Sequence, residues 1–508
     1  MKSRLSMTVR NAFWSYFSMI ASLVIQFVSR TVFIHFLGKD YLGINGLFSS
    51  ILGVLSFAEL GIGTAMNFSL YKPVAEGNTE KIKSYMYYYK WAYRVIAGII
   101  LFLGLVLVPF LPYLVNDPGN VGSITVYYLI FLFNTVTSYF VSYKYSLVNA
   151  EQKNYIYTNI NLIISLTTTL VQIITLFLFQ NYLAYLLVAA GFGLIQKIFI
   201  SGYLNSLHPY LKEKGVQPLS RDEKNVLVTK VKALIAHKLG DVCVHQTDNI
   251  IVSAFLNVGT VGLISNYNLI INTVRSCINI LFNSVTGSLG NLVATESKEK
   301  QYEVFLVYRF IGFWFFGFTA IALMVLLTPF ITLWIGQSMV VSDMVIGLIL
   351  IDYYMIGHRI CLNNFKTVGG IFEQDKYVAI IQAVVNLVAS VALAKVIGLP
   401  GVFIGTILQG AIASAIKPVV VYRNLFHVSS KHYFIDSAKY LAAVITAFVI
   451  CWFLRGIVLT EVTVLRFALM ALLTVAVPNL VFTAVFSRRT EFRYVWSMMG
   501  KIVGRKIG

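Results

Sequence analysis

Long apolar runs dominate the chain, and short polar or Gly/Pro-containing breaks separate them. A helix needs about 20 apolar residues to cross a bilayer, and these runs reach that length, so they predict fourteen membrane-spanning helices. The predicted spans are 11–37, 42–70, 85–114, 122–148, 155–179, 182–206, 226–256, 259–293, 303–334, 340–366, 374–397, 399–425, 433–455 and 460–487. The longest polar stretches, at 208–225 and 488–508, are too short for a soluble domain.

The basic residues give the predicted helices an orientation. Of 40 Lys and Arg residues, 30 fall in the N-terminal segment and in the loops of one side, four in the opposite loops and six within spans. Loops rich in Lys and Arg stay in the cytoplasm. This bias predicts that both termini are cytoplasmic, which requires an even number of spans.

The two halves of the chain resemble each other at a nearly constant offset. The segment FLGKDYLG at 36–43 matches FLNVGTVG at 255–262, so the offset is 219. The repeat predicts an N-lobe at 1–207 with six helices, a cytoplasmic linker at 208–225 and a C-lobe at 226–425 with six more. Two further helices at 426–487 and a basic cytoplasmic tail at 488–508 complete the layout. Transporters with parallel repeats bind substrate between the halves, near the bilayer midplane.

Polar residues within the spans follow helical spacing. In the seventh span, Lys238, Asp241, His245 and Asp248 are three, four and three residues apart, which places them on one helix face. A charge at the bilayer centre costs about 3 kcal/mol, so such a face predicts a water-filled central cavity between the lobes. The alternative is an internal Lys238–Asp241 pair, with the neighbouring polar residues serving helix packing.

The eighth span carries a second stripe, and further charges lie in other spans. The stripe includes Asn272, Arg275, Asn279 and Asn283, and the other charged residues are Arg30, Glu59, Asp352 and Arg359. Arginine binds phosphate bidentately, whereas buried acids and histidine can titrate or bind a cation. Arginines and acids within the spans therefore predict a transporter that exchanges an anionic amphiphile for a cation.

Composition excludes other classes of protein. The chain is 58% hydrophobic and 12% charged, against about 25% charged residues in soluble domains. A net charge of +19 would suggest nucleic-acid binding in a soluble protein, but the basic loops account for it here.

No Walker, GxGxxG, HExxH or paired CxxC motif occurs, so we expect no resident metal or other cofactor. Membrane polymerases and glycosyltransferases need a large outer loop, and the longest one here is NDPGNVGS at 116–123. These features predict a transporter rather than an enzyme.

Several segments resemble the polysaccharide-transporter family. They are SRTVFIHFLG at 29–38, YLGINGLF at 41–48, AELGIGTA at 58–65 and TDNIIVS at 247–253. This family comprises the oligosaccharide and O-antigen flippases of the multidrug/oligosaccharidyl-lipid/polysaccharide exporter superfamily. The resemblance extends over essentially the whole chain and is uninformative about the sugar.

The resemblance implies an all-α polytopic fold of two pseudo-symmetric six-helix lobes plus two C-terminal helices, working by alternating access. It implies transport of an undecaprenyl-diphosphate-linked oligosaccharide to the outer leaflet of a bacterial plasma or inner membrane. A polysaccharide polymerase and chain-length proteins would be its partners, in addition to the lipid bilayer.

In related flippases an arginine of the first helix is expected to face the diphosphate, and Arg30 occupies that place. Lys238, Arg275 and Arg359 would join it, and Asn272, Asn279 and Asn283 would bind sugar hydroxyls. The residues expected to couple H⁺ or Na⁺ are Asp241, His245, Asp248, Glu59 and Asp352. These acids make the cavity more mixed in charge than the family pattern, which leaves the coupling ion open.

Two alternatives within the same superfamily remain. A cation-coupled multidrug antiporter would have an acid-dominated cavity, against which four fixed cations argue. A flippase for a peptidoglycan precursor would follow the same physics with a different head group.

Overall fold

The structure is a computed structural model that describes residues 2–59, 61–119, 121–151, 153–213, 215–371, 374 and 376–504. Within these ranges, the side chains of 2–19, 64, 154–155, 212, 230, 232–245, 376, 499 and 501–504 lie outside the described part. The described chain is all-helical and contains no strand. This confirms the all-α class predicted from the apolar runs.

The helices are numbered in chain order. They are α1 (Lys2–Leu55), α2 (Ile62–Ala75), α3 (Thr79–Leu107), α4 (Leu111–Leu114), α5 (Ile124–Ala150), α6 (Asn154–Phe179), α7 (Tyr182–Leu207), α8 (Arg221–Phe255), α9 (Val258–Ser284), α10 (Thr286–Thr295), α11 (Lys298–Ile335), α12 (Asp343–His358), α13 (Ile360–Val368), α14 (Lys376–Ile397), α15 (Leu399–Val421), α16 (Lys431–Val458), α17 (Val464–Phe486) and α18 (Thr490–Gly504).

Twelve segments of the described chain are long and apolar enough to cross a membrane, so this is a multi-pass membrane protein. The first of them, Ile20–Glu59, covers two predicted spans, because Gly38 interrupts α1 with a φ of 82°. Helix α8 is not among the twelve, since charged residues are frequent along its 35 residues. The number fourteen therefore stays a prediction.

Helix starts repeat along the chain with nearly the predicted offset. The starts of α3 and α11 differ by 219 (298 − 79), and those of α5 and α12 differ by the same amount (343 − 124). The starts of α6 and α14 differ by 222 (376 − 154), and those of α7 and α15 by 217 (399 − 182). The arrangement of helices along the chain thus agrees with the internal repeat.

The chain packs as two compact units, 1–262 and 263–508. In unit 1, α1 packs against α6 and α8, and α5 packs against α3 and α7. The border between the units falls within α9, and α8 belongs to unit 1, where it packs against α1 and α2. The lobe bounds and the linker at 208–225 stay predictions. The linker contains a 3₁₀ turn at Pro209–Lys212, and a capping box between Ser220 and Glu223 starts α8.

In unit 2, α11 is the central helix and contacts α12, α16 and α17. The core around it is aromatic. Phe313 stacks on Tyr440 of α16 at 4.2 Å and packs against Phe482 of α17 at 4.9 Å between ring centroids. The two helices predicted to lie outside the repeat therefore pack within unit 2.

Candidate substrate-binding site

Arg30 is held in unit 1 by its neighbours on α1. Phe33, one turn further on, is 3% exposed, and its ring packs edge-on against Tyr185 of α7 with 5.1 Å between centroids. Tyr185 forms a hydrogen bond with Ser29 and interacts electrostatically with the half-buried Arg30. The guanidinium therefore lies where α1 meets α7.

A polar groove of about 340 Å³ runs between α6 and α7. On α6, Asn161, Ser165, Thr168 and Gln172 line it at steps of four, three and four residues, which is one helix face. Gln196 of α7 faces them and donates a hydrogen bond to the side-chain oxygen of Asn161. The groove therefore offers amide and hydroxyl groups in a membrane-spanning segment.

Arg30 and the groove share Tyr185 as a neighbour. The amide of Gln172 donates to the carbonyl oxygen of Tyr185 at 3.2 Å, and Tyr185 interacts electrostatically with Arg30. Arg30 itself is not among the residues that line the groove.

A second cation, Lys197 of α7, lies beside the groove. A Cβ atom added to Gly193, which lines the groove, would lie 3.9 Å from the Lys197 ammonium nitrogen. That nitrogen donates to the carbonyl oxygen of Asn134 at 2.9 Å and to the hydroxyl of Thr137 at 2.7 Å. No carboxylate of the described residues forms an ion pair with Lys197, so its charge is balanced by dipoles alone.

The groove combines a polar lining with Lys197 beside it, and Arg30 is connected to it through Tyr185. Its volume is near the lower end of the range of about 300–1,000 Å³ typical of small-ligand sites. Ammonium and guanidinium groups form charge-assisted hydrogen bonds with phosphate oxygens, and amides and hydroxyls can exchange hydrogen bonds with sugar hydroxyls.

Glu59 lies elsewhere in unit 1, in a 3₁₀ turn between α1 and α2. The Tyr93 hydroxyl donates to its carboxylate at 3.0 Å. A Cβ atom added to Gly63 would lie 2.7 Å from that carboxylate and 2.8 Å from the Tyr93 hydroxyl, so a side chain there would displace one or both groups. Among the described residues, Glu59 is paired with a tyrosine rather than with a basic side chain.

The stripe of the seventh span falls on α8. The side chains of Lys238, Asp241 and His245 lie outside the described residues. Asp248 is half-buried and has an interaction partner, and its neighbour Asn249 donates to the Ser50 hydroxyl of α1 at 3.0 Å. The role of this stripe stays a prediction.

In unit 2, Asp352 interacts electrostatically with both Arg275 and Arg359. The Arg275 guanidinium lies over the ring of Tyr353, 5.4 Å from its centroid. Arg359 is 5% exposed and donates to the carbonyl oxygen of Gly410 and to the Ser414 hydroxyl, the latter at 2.8 Å. Arg275 is thus partly accessible, whereas Arg359 connects α12 and α13 to α15.

The asparagines predicted to bind sugar share α9 with Arg275. Asn272 and Asn283 are exposed, and Asn279 is half-buried. Within the described residues no group of three or more His, Cys, Asp or Glu side chains is arranged to hold a metal ion.

The groove was not predicted, although the sequence contains a signal for it. The four polar residues on α6 have the same helical spacing as the stripes of the seventh and eighth spans. Lys197 was counted as one of six basic residues within spans, without being assigned to a site. A search for uncharged polar stripes beside a cation would have found both.

The chain was compared with protein-family models, with curated protein sequences and with solved structures. A family model described as MatE matches residues 15–178, about a third of the chain. A comparison with curated protein sequences finds no match.

Solved structures of transporters are similar over most of the chain. The lipid II flippase MurJ, in an inward closed conformation, gives a TM-score of 0.64 at 12% identity and covers 94% of this chain and 99% of its own. An inward-facing multidrug resistance MATE family transporter of the MOP superfamily gives 0.59 at 14% identity and covers 79% and 92%. A Vibrio cholerae MATE transporter gives 0.53 at 17% identity and covers 82% and 95%. The chain has the fold of these membrane transporters.

Proposed function

We propose that the protein is a flippase that moves an undecaprenyl-diphosphate-linked oligosaccharide from the cytoplasmic to the outer leaflet of a bacterial plasma membrane. The observation that supports this most directly is the polar groove between α6 and α7, with Arg30 and Lys197 beside it. A phosphate-bearing sugar needs cations and hydrogen-bonding groups together, whereas a cationic drug would be repelled.

The proposal gives each group of residues a role. Arg30 and Lys197 bind the diphosphate, and the amides and hydroxyls of the groove bind the first sugar. Arg275 and Lys238 are proposed as further phosphate ligands, with Asn272, Asn279 and Asn283 as further sugar ligands. Arg359 acts as a positioning residue, because its donors are used within unit 2.

The energy for moving the substrate across the membrane would come from a gradient of H⁺ or Na⁺. The proposed coupling residues are four acids and one histidine: Glu59, Asp241, His245, Asp248 and Asp352. Protonation or Na⁺ binding at such groups would change the charge of the cavity during alternating access. Both termini are proposed to be cytoplasmic, with a polysaccharide polymerase and chain-length proteins as partners.

The extent of the structural similarity supports a flippase over a drug antiporter. The MurJ structure covers 94% of the chain, whereas the two MATE structures leave about a fifth of it uncovered. A transporter of a long lipid-linked substrate is therefore the better template. A peptidoglycan-precursor flippase remains a variant of the same proposal, with a different saccharide.

A cation-coupled multidrug antiporter is the second candidate. The feature that favours it is Glu59, a half-buried carboxylate that no described basic residue neutralises. Export of cationic dyes from vesicles, abolished by Glu59→Gln, would support the antiporter and count against the flippase.

The experiment that tests the proposal is depletion of the protein followed by mass spectrometry of lipid-linked intermediates. We expect a polyprenyl-diphosphate oligosaccharide to accumulate several-fold, and its saccharide distinguishes surface polysaccharide from peptidoglycan precursor. Unchanged lipid-linked pools would contradict the flippase.

Substitutions connect the accumulated intermediate to the groove. Each variant is expressed in cells depleted of the parent protein. With Arg30→Ala or Lys197→Ala the lipid-linked intermediate should still accumulate, and with Arg30→Lys or Lys197→Arg it should accumulate less. Lys90→Ala is the matched control and should prevent the accumulation, since Lys90 is an exposed cation of the same unit.

A further inference from the structure

Unit 2 contains a cavity of about 620 Å³ among α11, α12, α15 and α16. Its walls are mostly apolar, with Ile321 and Met324 from α11, Leu350 from α12, and Val444 and Phe448 from α16. The volume lies within the range of about 300–1,000 Å³ typical of small-ligand sites. Every lining residue belongs to unit 2 and none to the groove between α6 and α7.

One part of the cavity wall is polar. His358 Nε2 lies 2.9 Å from the Ser437 hydroxyl, which donates its proton to the carbonyl oxygen of Tyr433 at 2.8 Å. His358 Nε2 is thereby assigned as the donor, which leaves Nδ1 as an acceptor. Nδ1 and the hydroxyl of Tyr354 are buried and have no hydrogen-bond partner among the described residues. The hydroxyl of Tyr433 interacts with Ser437.

A buried cation lies directly behind this polar wall. Arg309 is 2% exposed, and its guanidinium lies 3.8 Å from the ring centroid of Tyr433. One of its terminal nitrogens donates to the Ser437 hydroxyl at 2.6 Å and to the carbonyl oxygen of Tyr433 at 2.7 Å. Its other two nitrogens have no hydrogen-bond partner, and no carboxylate of the described residues pairs with it.

We infer that this cavity binds a single-chain amphiphile with an anionic head group. The chain would lie along the apolar walls, and the head group would accept hydrogen bonds from Tyr354 and Tyr433 beside Ser437. An anion there would be one hydrogen bond away from Arg309, and it would accept a hydrogen bond from the buried Tyr354 hydroxyl, which has no partner among the described residues.

The head group must supply the selectivity. Lipid tails are as apolar as the cavity walls, so inside a bilayer the walls give little preference for one chain over the surrounding lipid. A buried, uncompensated cation favours an anion over a neutral head group.

The inference is tested with palmitic acid that carries a photoactivatable diazirine in its chain. The full-length protein is placed in nanodiscs of zwitterionic lipid, illuminated, digested and mapped by mass spectrometry. We expect labels on the residues of α11, α12 and α16 that line the cavity. The alcohol of the same chain should label them about tenfold less, as expected for the loss of a charge-assisted hydrogen bond.

Two sets of variants keep the test decisive. Ala411→Phe places a large side chain on an exposed lining position and should abolish the labels, whereas Leu408→Phe, exposed on the same helix and outside the lining, should leave them. Tyr354→Phe retains Arg309 and should reduce labelling by the acid to near the level of the alcohol. Labels that persist in Ala411→Phe would overturn the cavity as the binding site. Equal labelling by acid and alcohol would overturn recognition of the anion.

This inference does not depend on the proposed function. Loss of oligosaccharide transport would leave the labelling unchanged, and loss of labelling would leave the groove of unit 1 unaffected. The two failures are therefore distinguishable.

Discussion

At the scale of single residues, charged groups in this protein are placed by few and specific contacts. Glu59 is positioned by the Tyr93 hydroxyl and by the absence of a side chain at Gly63. Arg359 is positioned by a backbone carbonyl and a hydroxyl of α15. Because a buried polar group is costly once its partner is removed, each arrangement can be tested by removing one group.

Gly63→Ala should displace the Glu59 carboxylate, since the new Cβ atom would lie within 3 Å of it and of the Tyr93 hydroxyl. Tyr93→Phe should remove the donor and cost about 1–3 kcal/mol of stability. The measurement is thermal unfolding in detergent. Gly98→Ala is the control, because nothing lies within 4 Å of its Cβ position, and it should not destabilise the protein. Equal midpoints for all three variants and the parent protein would contradict the account.

Arg359→Gln should lower the free energy of unfolding by about 1–3 kcal/mol, because the carbonyl of Gly410 and the hydroxyl of Ser414 lose a charged donor. Arg275→Gln should cost less, since that guanidinium is partly exposed and lies over a tyrosine ring. Denaturant unfolding of both variants measures these two changes in the free energy of unfolding. Should Arg359→Gln keep full stability and lose substrate affinity alone, Arg359 would be a ligand and not a positioning residue.

At the scale of helices, the second half of α1 and the start of α9 approach closely within unit 1. A Cβ atom on Gly43 would overlap the carbonyl oxygen of Val258, and one on Gly262 would overlap that of Lys39. Gly43 and Gly262 are related by the offset of 219 (262 − 43), and so are Lys39 and Val258 (258 − 39). The contact is therefore reciprocal between equivalent positions of the repeat.

Gly43→Ala and Gly262→Ala should each destabilise the protein by about 1–3 kcal/mol, the usual cost of overpacking, and the double variant should cost less than their sum because the sites share one contact. The free energies of the two single variants and the double variant form a thermodynamic cycle that measures this. Strict additivity would show that the two glycines act separately.

The linker between α7 and α8 should make stability depend on pH. His208 is 4% exposed. Its Nε2 lies 3.5 Å from a carboxylate oxygen of Glu151, and its Nδ1 lies 3.3 Å from the Tyr210 hydroxyl. Lys153 is close enough to interact electrostatically with it. Burial lowers the pKa of His208 below its ordinary 6.5, although Glu151 acts in the opposite direction. Below pH 6.5 His208 binds a proton in the unfolded chain but stays neutral in the folded chain until the pH reaches its lowered pKa. The free energy of unfolding therefore falls as the pH decreases from 6.5 towards that pKa.

His208→Gln should weaken this dependence. The measurement is the thermal midpoint of parent and variant between pH 7.5 and 5.5. If the two proteins lose the same amount over that range, His208 is not the group responsible.

Sequence spacing predicted most of the helices, because apolar runs and their breaks follow from local chemistry. The break at Gly38 falls between the predicted spans 11–37 and 42–70, whereas the one at Arg359, between α12 and α13, lies inside the predicted span 340–366 and was not predicted. The partners of α8 and of Arg359 could not be predicted, since they depend on contacts between distant segments. The α6 stripe was overlooked because uncharged polar residues in a span are usually interpreted as packing residues.

At the scale of the whole molecule, the chain is an all-helical multi-pass membrane protein with two compact units, and each unit contains a different kind of candidate site. Unit 1 contains a polar groove beside two cations, suited to a phosphorylated sugar. Unit 2 contains an apolar cavity beside a buried arginine, suited to a lipid-like anion.

The groove of unit 1 is proposed to bind a phosphate-bearing sugar during transport. Flipping of a fluorescent undecaprenyl-diphosphate oligosaccharide by purified protein in liposomes tests this proposal. We expect Arg30→Ala and Lys197→Ala each to slow flipping about tenfold or more, the effect of losing a charge-assisted hydrogen bond, and Lys90→Ala to leave it unchanged. Flipping at the parent rate in both groove variants would contradict the claim.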